Sequence, residues 1–233
     1  MVHLTSAALA VVMAGILGCV VAIPIGTQQR NAHEAAFAAP TRNSSSPVAA
    51  SSALLDKQGA PNPPLPFSWK TCNQPGDPTS ITEMSVSPSP VTLSKTGDRE
   101  VTVSMTAGIT VDITNGTSFS LLIKKRVPFT TTFEKIPCLD GYGSCTYPDL
   151  CGSLNDAMPT CNDWFQKHKI SCHCPFAAQT ISAPPSAFSI PAVGDKLPSW
   201  LADGDFQVTV TALDGQGAEL GCVFMQMSLR LEA

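Results

Sequence analysis

The chain has 233 residues, of which 43% are hydrophobic and only 14% are charged. This length and apolar content allow one domain with a sizeable core and exclude a highly charged, disordered chain. The formal net charge of −4 provides no basic surface, so a nucleic-acid-binding function is excluded as well.

An uncharged apolar run lies near the start of the chain, where residues 7–25 read AALAVVMAGILGCVVAIPI. The run is typical of a secretory signal, and Val20 and Ala22 form a cleavage pattern, which predicts a signal peptide over residues 1–22. It is also long enough to be an uncleaved membrane anchor, and ILGC ending at Cys19 is similar to a lipoprotein site. Each interpretation predicts that the rest of the chain is exported.

Residues 23–66 are rich in Ser, Ala and Pro. They contain too few large apolar side chains to offset the entropy of ordering, so they predict a disordered spacer. Asn43 begins a glycosylation acceptor pattern within it. The folded domain is predicted over residues 67–233.

Apolar residues at every second position dominate this domain and predict β-strands. The first alternating set is Val101, Val103, Met105, Ala107, Ile109, Val111 and Ile113. Asn115-Gly116 follows and predicts a hairpin turn, because both residues tolerate a positive φ. Thr117 completes a second glycosylation acceptor at Asn115. Alternation then resumes at Phe119, Leu121 and Ile123.

Two further strands are predicted near the end of the chain, with a turn at Asp214-Gly215 between them. Their alternating residues are Phe206, Val208, Val210 and Ala212, then Val223, Met225, Met227, Leu229 and Leu231. One short helix is predicted over Pro148–Met158. Short strands separated by turns predict an all-β fold, an antiparallel β-sandwich or cup.

Eight cysteines remain after the predicted signal, and three chemistries compete for the motif Cys172-His173-Cys174. Structural zinc requires paired cysteine knuckles with wider spacing, and no second short pair exists. A nucleophilic thiolate requires an unpaired cysteine, and an even number leaves none over. An even number of cysteines in an exported chain favours disulfides, whose connectivity spacing alone does not fix.

A hydrolase is a further alternative. A Ser-His-Asp arrangement would be expected to show a G-x-S-x-G elbow, which the sequence lacks. Asp140, Asp149 and Asp156 have no recognisable acid–base spacing. The residues therefore give this alternative no catalytic candidate.

Several short motifs occur in an order that is similar to that of one protein family. The motifs are FSWKTC (67–72), IPCLDGYGSCTYPDLC (136–151), SCHCPF (171–176), LPSWL (197–201) and LGC (220–222). Together they carry seven of the eight cysteines, with Cys161 between the second and third motifs, and they closely resemble the ML (lipid-recognition) domain family over residues 67–233. The resemblance implies four disulfides, Cys72–Cys222, Cys138–Cys145, Cys151–Cys174 and Cys161–Cys172.

The family resemblance also implies a fold and a function. The fold is a β-sandwich opened into a β-cup with an apolar cavity. The implied function is non-enzymatic: the protein extracts glycolipids or other lipids from membranes and presents them to a soluble hydrolase. The implied partners are a glycolipid, sphingolipid or phospholipid, a transient membrane surface and a soluble glycosidase, with no cofactor and no metal. The implied location is a lysosomal or vacuolar lumen or the extracellular space, and the alternative is a secreted lipid-sensing protein that acts with a receptor.

Inward-facing strand positions supply candidate lipid-binding residues for the cup wall, and a loop similar to one in the family supplies them for its mouth. By pattern alone, the wall residues could equally fill an ordinary core, and the tryptophan of the loop could be a buried anchor. The predicted wall residues are Phe119, Leu121, Ile123, Phe206, Val208, Val210, Met225 and Met227. A mobile apolar loop at the mouth supplies the expected membrane-touching residues Val193, Leu197, Trp200 and Leu201, since Trp favours the membrane interface. Phe133 is expected at the rim.

Overall fold

The computed structural model describes residues 62–139, 141–157, 159–193 and 199–232, without the side chains of residues 156, 157, 199 and 200. The predicted signal, Asn43 and most of the predicted spacer lie outside the described residues. So do Asp140, Leu197 and the side chains of Asp156 and Trp200.

Two β-sheets make up the described domain. The larger sheet contains β1 (Ser68–Thr71), β3 (Val91–Ser94), β5 (Ser118–Arg126), β6 (Phe133–Lys135), β7 (Thr146–Tyr147), β9 (Gly204–Leu213) and β10 (Glu219–Glu232). The smaller sheet contains β2 (Thr79–Ser87), β4 (Arg99–Ile109) and β8 (Gln179–Ile190). The predicted all-β fold is confirmed.

The strands pair antiparallel, except that β3 runs parallel beside β10. The larger sheet follows the order β1-β10-β9-β5-β6, with β7 beside β5, and the smaller follows β2-β4-β8. The connection from β4 to β5 therefore crosses from one sheet to the other.

Three short helices accompany the sheets in the described part of the chain, where one was predicted. They are α1 (Leu150–Ala157), α2 (Asp163–Lys167) and α3 (Ser199–Ala202). The predicted first helix starts two residues later than expected, because the Asp149 carboxylate accepts the Gly152 backbone N–H at 3.0 Å and so caps the helix. Asn162 caps α2 in the same way through the Trp164 N–H, at 2.9 Å.

The core lies between the two sheets and follows the predicted alternation. On β4, Val101, Val103 and Met105 are at most 2% exposed, while Thr102 between them is exposed. On β5, Phe119, Leu121 and Ile123 are all buried. A strand with one apolar face buries that face against the facing sheet, which is how these patterns specify the sandwich.

The turn at Asn115-Gly116 is present, but the predicted hairpin is wrong. Gly116 has φ +91° and the Thr117 N–H donates to the Thr114 carbonyl at 3.2 Å. The flanking strands belong to different sheets, and Ile113 pairs with Phe176 instead. The predicted strand through Val111 also ends early, since β4 stops at Ile109 and Val111 is exposed. By contrast, the predicted turn at Asp214 does join a true hairpin, β9–β10.

The end of the predicted spacer is ordered. The Leu65 N–H donates to Ser228 Oγ at 2.6 Å, and Asn62 Nδ2 donates to the Thr130 carbonyl at 2.7 Å. The Pro63 carbonyl accepts from Arg126 at 2.6 Å. Residues 62–66 therefore belong to the folded domain, and these hydrogen bonds attach them to it.

Candidate functional site

An apolar cavity of about 50 Å³ lies between the two sheets. The smaller sheet contributes Ile81, Ala107 and Ile109, and the larger contributes Val210, Ala212 and Val223. Ile113 and Leu150 also line it. Both sheets thus turn apolar side chains towards one shared space.

The predicted wall residues all lie in the core between the sheets. Phe119, Leu121, Ile123, Phe206, Val208, Val210, Met225 and Met227 are each at most 7% exposed. Only Val210 of this set lines the 50 Å³ cavity, and the others belong to the surrounding core cluster. The contribution of the smaller sheet was not predicted, although the alternation on β4 had already marked Ala107 and Ile109 as inward.

The cavity is much smaller than the roughly 300–1,000 Å³ that enclose a drug-sized ligand. Packed apolar side chains occupy most of the space between the sheets. A long acyl chain could enter only if these side chains, or the sheets that carry them, moved apart. Methionines such as Met105, Met225 and Met227 suit such a space, because unbranched thioethers repack easily.

One end of the larger sheet carries exposed apolar residues. Phe129, in the loop between β5 and β6, is 60% exposed, and Leu139 beyond β6 is 53% exposed. Phe133, expected at the rim, is half-buried at the start of β6. This end of the domain, from Val127 to Leu139, is called the rim below.

Two of the predicted membrane-touching residues do not face outward. Val193 and Leu201 are each 2% exposed and belong to the core cluster. The Val193 N–H donates to the Ser94 carbonyl at 2.9 Å, which holds this part of the loop against β3. The expectation that these two side chains touch a membrane is therefore corrected: they pack inside the domain.

A buried ion-pair network supports the rim from the outer face of the larger sheet. Asp205 accepts from Arg126, from Ser228 Oγ and, at 3.1 Å, from Arg230. The Arg126 and Asp205 side chains are only 9% and 10% exposed. Burial alone would raise the pKa of Asp205, but the three hydrogen bonds and the Arg126 charge outweigh it and hold that pKa below its usual value.

Lys125 stands beside this network and was not predicted. It continues the inward-facing series Phe119, Leu121 and Ile123 on β5, and it pairs across the sheet with Phe206. Its ammonium lies 5.5 Å from the centre of the Phe206 ring. The sequence signal was available, because the same alternation that marked Ile123 as inward places a lysine two residues later.

The eight cysteines among the described residues form four disulfides, Cys72–Cys222, Cys138–Cys145, Cys151–Cys174 and Cys161–Cys172. These are the pairs that the family resemblance implies. His173 Nδ1 lies 3.3 Å from Cys172 Sγ, and these atoms with Cys161 Sγ form a compact group. Because both sulfurs are joined in a disulfide, they are not the thiolates that zinc requires.

His168 and Ser186 form a contact that could be mistaken for part of a hydrolase site. His168 Nε2 lies 2.8 Å from Ser186 Oγ, and Trp164 Nε1 donates to the same oxygen at 2.8 Å. Partial burial, and secondarily the Lys167 charge, lower the pKa of His168. The contact attaches α2 to β8, and the Trp164 ring packs against Phe188. It therefore has a structural role.

No helix in the described part of the chain is both long and apolar enough to cross a membrane.

Comparison with known proteins gives a consistent result. Residues 66–229 match the family model described as the ML domain. The chain is 34% identical over 167 residues to a protein named ganglioside GM2 activator from Macaca fascicularis, a match that covers 70% of this chain and 83% of the relative. The protein of the same name from Mus musculus is 32% identical over 167 residues, covering 70% and 82%.

A structural match is also found to a Niemann-Pick type C2 protein from the Japanese carpenter ant. Its sequence is 12% identical, its TM-score is 0.35, and the match covers 70% of this chain and 99% of that one.

Proposed function

Because this chain belongs to the ML domain family, we propose that it is a non-enzymatic carrier that extracts a glycolipid from a membrane and presents the headgroup to a soluble hydrolase. The ligand class comes from the name of the two relatives, ganglioside GM2 activator. The observation that carries the proposal is the pair of apolar sheet faces that meet around a cavity lined from both sides.

The energetics of lipid transfer support this function. An acyl chain of roughly 16 methylenes, at about 0.8 kcal/mol each, carries about 13 kcal/mol of transfer free energy. A soluble carrier must offer an apolar environment that offsets this cost. Buried aliphatic, aromatic and methionine side chains on both sheets supply such an environment, provided that they part around the chain.

The rim is the proposed contact with the membrane. Phe129 and Leu139 are exposed apolar residues at one end of the larger sheet, close to half-buried Phe133. Leu197 and Trp200 of the mouth loop are proposed to join them. Exposed aromatic and aliphatic side chains partition into the headgroup region of a bilayer, which would hold this end of the domain against the membrane.

The proposed location is a lysosomal or extracellular lumen. Four disulfides are typical of an oxidising compartment. A signal over residues 1–22 is proposed to direct export. Asn115 is exposed in its turn, where an oligosaccharyltransferase could reach it, and it is proposed to carry a glycan.

Vesicle-to-vesicle transfer of a fluorescent glycolipid tests the proposal. The protein should accelerate transfer in proportion to its concentration and should leave the lipid chemically intact. Retention of the fluorescent lipid in the donor vesicles at every protein concentration would overturn lipid carriage, and a cleaved lipid would indicate an enzyme.

A further inference from the structure

The position of Lys125 is unusual for the face of the strand that it occupies. On β5, inward-facing Phe119, Leu121 and Ile123 are each at most 5% exposed, and Lys125 is the next residue in that series. Its neighbour across the sheet, Phe206, is 2% exposed. If the acyl chain of a lipid lay along this apolar face, its polar headgroup would lie near Lys125, where the apolar series ends.

The surrounding backbone makes room for the lysine stem. Gly204 lies against it with φ +145°, and a Cβ at that position would approach Lys125 Cε to 2.5 Å and Nζ to 3.2 Å. A side chain at residue 204 would therefore displace Lys125. The glycine leaves the space that the lysine fills.

Lys125 lies between two open surface pockets at the rim, of about 530 and 320 Å³. The larger is also lined by Lys135, Ile136 and Leu139, and the smaller by Phe129, Asp203 and Arg230. Each pocket combines charged groups with apolar surface. Such pockets have room for a headgroup beside the apolar wall.

The charge around Lys125 is positive although the whole chain is acidic. The residues that line the two pockets include four cations and three anions, a local net charge of +1. The four cations are Lys125, Arg126, Lys135 and Arg230, and the three anions are Glu134, Asp203 and Asp205. The chain as a whole has a net charge of −4. A local excess of cations favours an anionic group.

Charged groups of the protein also act on the Lys125 ammonium. Partial burial lowers its pKa, while the carboxylates of Asp203 and Asp205 act in the opposite direction. Asp205 is engaged by Arg126 and Arg230 on the other side. An anion that binds there would meet an ammonium that is partly desolvated, where charge pairs are stronger than in bulk water.

We propose that Lys125 determines headgroup specificity, by donating hydrogen bonds to an acidic group, a sulfate, carboxylate or phosphate, on the headgroup of the bound lipid. This rests on the proposed lipid carriage and adds the residue that selects among lipids. The ammonium supplies three donors at the point where the apolar wall ends. A neutral headgroup makes no ionic contact there.

The test compares pairs of lipids that share a ceramide and neutral sugars and differ by one added acidic group. One pair is galactosylceramide and its 3-sulfate, and the other is lactosylceramide and its sialylated derivative. Delivery as cyclodextrin complexes avoids the surface charge of a vesicle, which would itself attract the rim cations. Wild-type protein should bind the acidic member of each pair about tenfold more tightly, as expected for one charge-assisted hydrogen-bonding contact. Added salt should reduce this ratio of the affinity for the acidic lipid to the affinity for the neutral lipid.

Three variants separate this role from a structural one. Lys125→Met keeps the apolar stem and should bring the ratio to about one while neutral lipid still binds. Lys125→Arg should keep a preference, and Lys124→Met, at the adjacent outward position, should leave the wild-type ratio unchanged.

The outcomes distinguish two failures. Equal binding of both members by wild-type protein would leave lipid carriage standing and overturn the role of Lys125. An unchanged ratio in Lys125→Met, with or without a lower melting temperature, would also overturn it and indicate a structural lysine. Binding of neither member would show that lipid carriage itself is wrong.

Discussion

Asp205 is the residue whose loss should destabilise the larger sheet most through electrostatics. Its carboxylate is 10% exposed and neutralises Arg126, which is 9% exposed. Replacing one partner of a buried pair leaves the other charge uncompensated, which costs about 3–5 kcal/mol. Asp205→Asn should therefore lower the free energy of unfolding in urea by about that amount.

The matched control is the exposed pair of Arg99 and Glu232, whose side chains are 38% and 56% exposed. Exposed pairs contribute about 0–1 kcal/mol, so Glu232→Gln should have a small effect. Similar losses in the two variants would contradict the assignment of Asp205 as a buried structural anion.

The same carboxylate predicts how stability depends on pH. Its pKa in the folded protein is below the usual value for an aspartate, about 3.9. A depressed pKa contributes stability that is fully present above the usual value and is lost as the pH falls through the folded pKa. The difference in the free energy of unfolding between wild type and Asp205→Asn should thus be equal at pH 7 and pH 5 and should be smaller at pH 3. A difference that stays constant down to pH 3 would contradict this cause.

Among the secondary-structure elements, two disulfides connect α1 and α2 to the segment that leads into β8 of the smaller sheet. Cys161–Cys172 closes an 11-residue separation around α2, and Cys151–Cys174 spans from α1 to the segment before β8. Removing a native bridge in a small exported domain typically costs about 2–5 kcal/mol. The double variant Cys161→Ser/Cys172→Ser, which leaves no free thiol, should lose about that much stability in urea.

Thiol labelling of the denatured, non-reduced protein is the companion measurement. The peptides that carry Cys172 and Cys174 should be unmodified before reduction and modified after it. Modification before reduction, or zinc bound in a one-to-one ratio, would show that these cysteines are not bridged.

The sequence predicted where the strands lie better than it predicted which strands pair with one another. Alternating apolar residues identified the faces of β4, β5, β9 and β10, because burial on one side of a sheet imposes a period of two. The same local pattern assigned Asn115-Gly116 to a hairpin, although the turn crosses between sheets. Which sheet a strand joins depends on contacts between distant residues, and a local pattern does not contain them.

In the candidate site, too, apolar residues were predicted from the local pattern, and polar residues and their contacts were not. The inward residues of the larger sheet were predicted but Lys125 was not, because a charged residue interrupts the apolar alternation from which inward positions are inferred. Residues 62–66 were assigned to a disordered spacer because they lack apolar bulk. Hydrogen bonds to Arg126, Ser228 and Thr130 order them, and composition does not reveal such bonds.

At the scale of the whole molecule, two tryptophans should have opposite roles. Trp164 is 3% exposed, and its ring meets the Phe165 and Phe188 rings at centroid distances of 5.3 and 6.0 Å. Trp164→Ala should cost about 3–5 kcal/mol and lower the melting temperature by about 10 °C. Trp200→Ala, in the proposed membrane-touching loop, should slow glycolipid transfer between vesicles and leave the melting temperature within about 2 °C of wild type. A large fall in the melting temperature of Trp200→Ala, or unchanged transfer, would show that Trp200 does not contact the membrane.

Lipid carriage requires the two sheets to part, to hold one lipid between them and to return it unchanged. Native mass spectrometry of protein purified without detergent and incubated with glycolipid vesicles detects such a complex. We expect a complex of one protein and one lipid, from which the lipid is released with its headgroup and acyl chains intact. Detection of the bare protein alone after incubation, or of a lipid fragment in place of the intact lipid, would contradict it.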